Sequence, residues 1–519
     1  MGQSSNTPGV TKELCSWIYG LSLNDIPEEV RTRAKYLILD GICCALVGAH
    51  LPWVEKAARA VFSIEPPGDC MVWGYDKKLG ALPAALLNST EIQSFELDDW
   101  HTLAPLHSNS IILPALLAAA GQKRAKTSSS FDGTSLLLST IIGYEVGPRV
   151  GLCLYGGHML TRGWHSGTVF GHAASAAAVS KLLGLQQDAI EDALGMACTQ
   201  ACGLMSAQFG SDVKRMQHGF PARNGLFAAL LAETGYIGIK NVFEEPYGGF
   251  LSTFGQSGKE PPYLVDELTK ALGQTWQSDD IRVKSYASMA GTHCTVDTIA
   301  ALQQKHADKL ADLQNITSIK IEMSEAAMKH GGWTATRPLS ATGAQMSCAY
   351  VAAVQLVDRR VSPQEFRHEL LDRDVIWDLI DKTECCHTPE LGEKYEQRVT
   401  VTLKDGEAIT ETLQAPHDVD PGLTNEEILQ KFRTFTDGIM APERRDRIEK
   451  IVLDLETMDD VSILENLLAA PTRSPIDVFW WLRKTIGMFA SGAGMRVIDF
   501  SVHSIDLPSP NIYSLIHDI

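Results

Sequence analysis

Positive charge is what this chain has least of. Its 519 residues carry 45 Lys and Arg against 63 Asp and Glu, a formal net charge of −18. A nucleic acid or an anionic membrane calls for a basic face, so neither is expected as a partner. Phosphate-cradling loops are missing as well: there is no G-x-G-x-x-G and no Walker sequence. No G-x-S-x-G elbow offers a hydrolytic serine, and the histidines lack the H-x-x-x-H or H-E-x-x-H spacing of a metal lyase. The 11 cysteines are odd in number and scattered, with adjacent pairs at Cys43-Cys44 and Cys385-Cys386. That is no disulfide framework and no zinc or iron–sulfur pattern; it suits core filling in a reducing cytosol. The N-terminal MGQSSNTPGVTKEL has no apolar or Arg-rich targeting stretch, and a cytoplasmic location is expected. Long apolar runs are also lacking: the one in the tail is interrupted by Arg483 and Lys484.

What is present is a globular composition, 45% hydrophobic and 21% charged, on a chain long enough for two domains. From about Thr11 to Leu268 the periodicity is predominantly helical. Val30–Val47 is periodic behind Pro27, and Gly167–Leu185 is so rich in Ala and so poor in charge that it reads as a buried bundle helix. The pattern changes at about residue 271. Ile316–Met323 alternates like a half-buried strand, and Gln397–Leu413 is two alternating runs joined at Asp405-Gly406, a hairpin signal. Leu339–Asp358 returns to helix between them, so residues 271–416 read as an α+β module. Helices resume at Asn425–Phe435 and Glu443–Leu455 and are free to pack back on the first domain. Residues 476–519 differ in style, and their structure is left open.

Chemistry concentrates in one loop. Phe95–Gly121, FELDDWHTLAPLHSNSIILPALLAAAG, packs Glu96, Asp98, Asp99, His101 and His107 directly ahead of an apolar helix. Buried charge of this kind is tolerated mainly where protons move. With Ser108 or Ser110 as the expected cap, backbone N–H groups at the helix start make a seat for a carboxylate. Acids that merely cap neighbouring helices are the competing explanation. Three further segments carry matching groups. RGWHSGT sets His165 and Thr168 at the start of the Ala-rich helix, and DVKRMQHG is a basic cluster with Lys214 and Arg215. KSYASMAGTHC brings His293 to the domain junction. Three histidines, a lysine and a carboxylate cluster are the equipment for moving protons on a small polyacid without a cofactor or metal.

FELDDWHTLAPLHSNSIILPA, RGWHSGTVFGHAASAA, ACTQACGLMSAQFGSDVKRMQHGFPARNG and SYASMAGTHCTVDTI resemble the MmgE/PrpD family. That family includes 2-methylcitrate dehydratases and cis-aconitate decarboxylases, and the resemblance is strongest to fungal decarboxylases that make itaconate. It runs from about Val10 to Pro475. The resemblance implies a mainly α protein: a large helical domain (1–270 plus 417–475) with an inserted α+β lid (271–416), working as a homodimer with no cofactor. It also implies roles. His107, His165, Lys214 and His293 match the family's histidines and lysine. Glu96 takes the place of the leading acid, often Asp in relatives, and Asp98 keeps its place. Lys214, His165 and Arg215 are expected to anchor substrate carboxylates, with His101 and Thr168 as further contacts. His107 or His293 is expected to deliver a proton, oriented by Glu96 or Asp98. Two departures stand out: Trp100 where some relatives have Thr, and Met289-Ala290 with Cys294-Thr295 around His293. If the latter shape the pocket, an alkyl-substituted tricarboxylate is as open as cis-aconitate itself. The alternatives are a methylcitrate- or alkylcitrate-type dehydratase and, from another class, an inactive dimeric binding protein.

Overall fold

A computed structural model of the chain describes residues 9–391 and 395–476. The C-terminal tail, from residue 477 onward, lies outside the described residues. The protein is mainly α. Its N-terminal half is built on α1 (Glu28–Gly48), α2 (Ala81–Ile92), α3 (Ser108–Thr127), α4 (Gly133–Cys153), α5 (Ser166–Leu182) and α6 (Gly219–Glu233). Helix α1 starts with Glu28 and Glu29, which suit the positive end of the helix dipole, and α4 starts where Asp132 accepts the N–H of Ser135 at 2.7 Å.

Helix α5 is the centre of this half. Every residue of it except Lys181 is buried, and it packs against α3, α4 and α6. Its Gly, Ala and Ser side chains let three neighbours approach closely, while Phe170 and Val179 fill the remaining space. Each of those two contributes about 1.5–3 kcal/mol by burial. The helical pattern concealed one small ribbon, in which Pro67–Val72 pairs antiparallel with Lys77–Leu79. Strands that short show too few alternations to register as period two.

The strands expected in the second half, Ile316–Met323 and the two runs of Gln397–Leu413, are present, and Thr383–His387 joins them unforeseen. β1 (Ile316–Met323), β2 (Thr383–His387), β3 (Gln397–Leu403) and β4 (Ala408–Leu413) form one sheet in the order β2-β1-β3-β4. The β1–β2 pair is parallel and the others antiparallel. Alternation along β3 buries Gln397, Val399, Val401 and Leu403, and Gly406 supplies the positive φ of the hairpin turn. Helix α7 (His293–Lys305) covers β3 and β4, while α8 (Cys348–Asp358) packs on α7 and β2. The single helix expected over Leu339–Asp358 is two, Ala341–Gln345 and then α8. It breaks because the hydroxyl of Ser347 accepts the N–H of Tyr350 and starts a new helix.

Helix α9 (Asn425–Thr436) opens with a capping box between Thr424 and Glu427 and packs on α1. Lys431 on α9 reaches Asp40 on α1 at 2.6 Å and donates to the carbonyl of Leu97 at 2.7 Å. The C-terminal helices thereby hold the acidic loop from behind. Among the described residues, no single helix is long and apolar enough to cross a membrane.

Candidate active site

The acidic loop turns inward at Glu96, whose backbone is left-handed (φ 54°) and whose side chain is 3% exposed. A non-glycine residue there costs about 1–2 kcal/mol, and the turn aims its carboxylate at three cations. Oε1 receives Lys214 Nζ at 2.7 Å and Arg215 Nη1 at 2.8 Å, and Oε2 receives Lys284 Nζ at 3.2 Å. Burial alone would push this carboxyl up, but Lys214, Lys284 and Arg215 outweigh it and hold Glu96 well below the usual range. Burial lowers Lys214 and Arg215, and Glu96 only partly offsets that. Lys284 arrives by a long-range route, since Ile281–Arg282 pairs as a two-residue ribbon with Trp100–His101.

Asp98 is fully buried, with Oδ2 3.1 Å from His107 Nδ1. Burial raises this carboxyl, and the imidazole beside it brings it back below its ordinary value. His107 stands directly before α3. The helix is capped by neither Ser108 nor Ser110, contrary to expectation. Asp99 takes that position across the loop, accepting Ser108 N–H at 2.9 Å and Asn109 N–H at 3.1 Å. The carboxylate expected from a ligand at that helix start is therefore supplied by the chain itself.

His165 stands at the start of α5, where Nδ1 has no hydrogen-bond partner among the described residues. Burial, with Lys214 and His107 close by, pushes it well below its ordinary value, so the ring is neutral. Glu96, His107, His165, Lys214 and Lys284 all line one cavity of about 700 Å³. Its remaining wall includes Trp100, Leu103, Leu160, Met205, Met346 and Leu391, with Trp100 edge-on to Tyr395 at 5.8 Å.

Besides Asp98, four expected residues sit behind this surface. Arg215 donates from Nη1 to Glu96 and from Nη2 to Gln345 Oε1 at 2.5 Å and Thr342 Oγ1 at 3.3 Å. Thr168 donates to the carbonyl of His165 and steadies the start of α5. His101 Nδ1 accepts the N–H groups of Leu103 and Ala104, shaping the turn before His107. His293 is fully buried, with Nδ1 2.7 Å from Asp418 and Nε2 3.0 Å from the Ser288 carbonyl. Both ring nitrogens face acceptors, which describes an imidazolium tying α7 to the Met289–Gly291 wall of the cavity.

Lys284, His218 and Gln345 went unassigned in the sequence. Gln345 donates to the carbonyls of Phe95 and Ala287 at 2.8 and 2.7 Å and so joins the acidic loop to the junction segment. His218 and Lys284 each lie in a segment already singled out, DVKRMQHG and KSYASMAGTHC, whereas Gln345 had no local signal. Among the described residues no three His, Cys, Asp or Glu side chains converge as metal ligands.

Residues 12–262 match the MmgE/PrpD N-terminal domain and residues 286–457 the MmgE/PrpD C-terminal domain. The chain belongs to the MmgE/PrpD family. It is 48% identical to the cis-aconitate decarboxylase-like protein oryM of Aspergillus oryzae, over 90% of this chain and 99% of that one. With the cis-aconitate decarboxylase of Aspergillus terreus it shares 46% identity over 91% and 98% of the two chains. The mitochondrial 2-methylcitrate dehydratase of Yarrowia lipolytica is further off, at 23% over 88% and 89%.

Proposed function

We propose that this chain is a carboxy-lyase that decarboxylates cis-aconitate, or an alkyl-substituted cis-aconitate-type tricarboxylate, to itaconate or an itaconate-like product. The observation that carries the reading is the cluster of Lys214, Lys284 and Glu96 with His107 on the wall of a single cavity, backed by Arg215 and Asp98. Three cations against two carboxylates leave a local positive excess inside a strongly acidic protein. That is what a polyanionic substrate requires.

In the reaction the substrate carboxylates lie against Lys214, Lys284 and His165. The bond to the carboxylate on the saturated carbon breaks, CO₂ leaves, and the electron pair spreads over an allyl system conjugated to a remaining carboxylate. Cations facing that carboxylate stabilise the developing charge. A protonated His107, held through Nδ1 by Asp98, delivers its Nε2 proton to the far allylic carbon, and the double bond moves to the terminal position. These side chains suffice for the steps named and call on no cofactor.

The apolar stretch of the wall supports the alkylated substrate. A cavity of about 700 Å³ is in the range that holds drug-sized ligands, about 300–1,000 Å³, and exceeds what a six-carbon tricarboxylate fills. We read residues 271–416 as a lid over a helical body of 1–270 and 417–475, because the cavity takes Lys284, Met289 and Leu391 from one and Glu96, His165 and Lys214 from the other. The protein is further read as a cytoplasmic homodimer serving secondary metabolism.

The test is product analysis by NMR with cis-aconitate, alkylated aconitates and 2-methylcitrate as separate substrates. CO₂ release with an itaconate-type product supports the reading. Water loss from 2-methylcitrate without CO₂ makes the protein a dehydratase, and no turnover of any substrate makes it a binding protein.

A further inference from the structure

His218 takes no part in the proposed proton transfer, yet two rings of the cavity wall lean on it. It is fully buried and does not itself line the cavity. Its ring centre lies 4.9 Å from that of His107 and 5.1 Å from that of His165.

Its hydrogen bonds fix both its charge and its tautomer. Ser110 Oγ has one proton and gives it to the carbonyl of His107 at 2.9 Å, so it accepts the Nδ1–H of His218 at 2.8 Å. Gln93 Oε1 accepts the backbone N–H of His218 at 3.2 Å, which turns the Gln93 amide nitrogen toward His218 Nε2 at 3.4 Å. An amide N–H pointing at Nε2 requires a lone pair there. Nε2 also lies against the first turn of α5, where a Cβ on Gly167 would come within 2.1 Å of it. The positive end of a helix disfavours a charged ring at that place.

The charged and titratable groups around His218 come from four elements: Lys214 from its own segment, His107 from the start of α3, His165 from the start of α5 and Glu96 from the acidic loop. Burial first, then His107, His165 and Lys214, push His218 well below its ordinary value, and Glu96 only partly opposes them.

We propose that His218 is a positioning residue, a permanently neutral Nδ1–H imidazole that separates His107 from His165 and confines the transferable proton to His107. Were His218 able to take that proton, the charge would sit behind the wall and the carbanion would lose its donor. The link to proton donation rests on the decarboxylase reading; the tautomer does not.

The experiment has two arms. In the first, protein labelled with ¹⁵N in its histidines is titrated by NMR from about pH 5.5 to 8.5, the range in which an ordinary imidazole changes charge. The His218 signals are assigned by their loss in His218→Gln. A neutral Nδ1–H pattern across the range is expected; a titrating ring or an Nε2–H pattern overturns the proposal. This arm needs no substrate, so it decides even if decarboxylation fails; should His218→Gln not fold, through-bond correlation to the assigned backbone of the unsubstituted protein identifies the ring instead.

The second arm is the pH profile of kcat and KM for Ser110→Ala, which removes the acceptor of Nδ1–H, and for Ser110→Thr, which retains it. Loss of a correctly held proton donor is expected to lower kcat about tenfold or more in Ser110→Ala and to move the profile, with KM little changed. Ser110→Thr is expected to restore both. An unchanged kcat and profile in Ser110→Ala overturns the positioning role.

Discussion

His107 Nδ1 lies 3.1 Å from Asp98 Oδ2, and the carboxylate is fully buried while the imidazole keeps 17% of its surface exposed toward the cavity. One nitrogen is held from behind and the other is left for the substrate. His107→Ala is expected to cut kcat about 10²-fold or more, with KM changing less. Asp98→Asn keeps the shape but removes the carboxylate that faces Nδ1 of His107, and it is expected to lower kcat in the same direction. Steady-state kinetics from about pH 5.5 to 8.5, which spans the ordinary imidazole value of about 6.5, checks both. Near-normal turnover in His107→Ala removes it from the mechanism.

Lys214 has two duties, clasping Glu96 and facing the cavity. Lys214→Ala is expected to abolish measurable decarboxylation, and Lys214→Arg not to restore it, because a planar fork does not reproduce a point charge at that place. Isothermal titration with a non-reacting tricarboxylate separates the duties. Weakened binding accompanies lost catalysis if the ammonium holds substrate, whereas unchanged binding assigns it to Glu96 alone.

Glu96→Gln leaves Lys214, Arg215 and Lys284 buried around a neutral amide. Breaking a buried ion cluster by removing one partner costs about 3–5 kcal/mol, so urea unfolding at neutral pH is expected to show a loss of that size. In the unsubstituted protein the folded-state pKa of Glu96 and of Asp98 is depressed. Their contribution to stability is full above the unfolded-chain values of about 4 and is lost as pH falls through the folded ones. Glu96→Gln is therefore expected to flatten the acid limb of the stability curve.

His165, His172 and His218 are all held below their ordinary value by burial, His172 down to about 4. The unfolded chain binds protons at these rings below about pH 6.5 and the folded chain does not, so stability is full above that pH and falls beneath it. Each ring contributes a slope of about 1.4 kcal/mol per pH unit. Unfolding midpoints at pH 7, 6 and 5 are expected to fall together with pH, less steeply in His172→Gln. A flat profile contradicts the neutral assignments.

His293 and Asp418 form a buried pair behind the cavity wall. His293→Ala leaves Asp418 without its partner, with an expected loss of about 3–5 kcal/mol on unfolding. Turnover is expected to fall about 10²-fold or more. The pair acts on turnover indirectly, through displacement of the Met289–Gly291 wall. A variant as stable as the parent, yet inactive, would instead assign His293 to the chemistry itself.

Legibility in the sequence followed the range of the interaction. Helix α5 and the strands β1, β3 and β4 were readable because a period of 3.6 or 2 is written into consecutive residues. The gathering of charged groups at Phe95–Gly121 was readable for the same reason. The start of α3 was misread because its cap, Asp99, acts across nine residues of loop rather than from the neighbouring serines. Lys284 was passed over because only the pairing of Trp100–His101 with Ile281–Arg282 carries it to Glu96, and two-residue strands leave no pattern. Arg215 and His293 were recognised as important side chains, but residue type alone does not say which face of a wall a group occupies. Their partners, Gln345 and Asp418, lie 130 and 125 residues away.

The most direct test of the central claim is the reaction of the purified protein with cis-aconitate in D₂O, followed by NMR. Protonation of an allylic carbanion by His107 predicts CO₂ together with itaconate carrying one deuteron in the methylene beside its carboxylate and none in the terminal =CH₂ group. Absence of CO₂, or deuterium in the terminal carbon, contradicts the account.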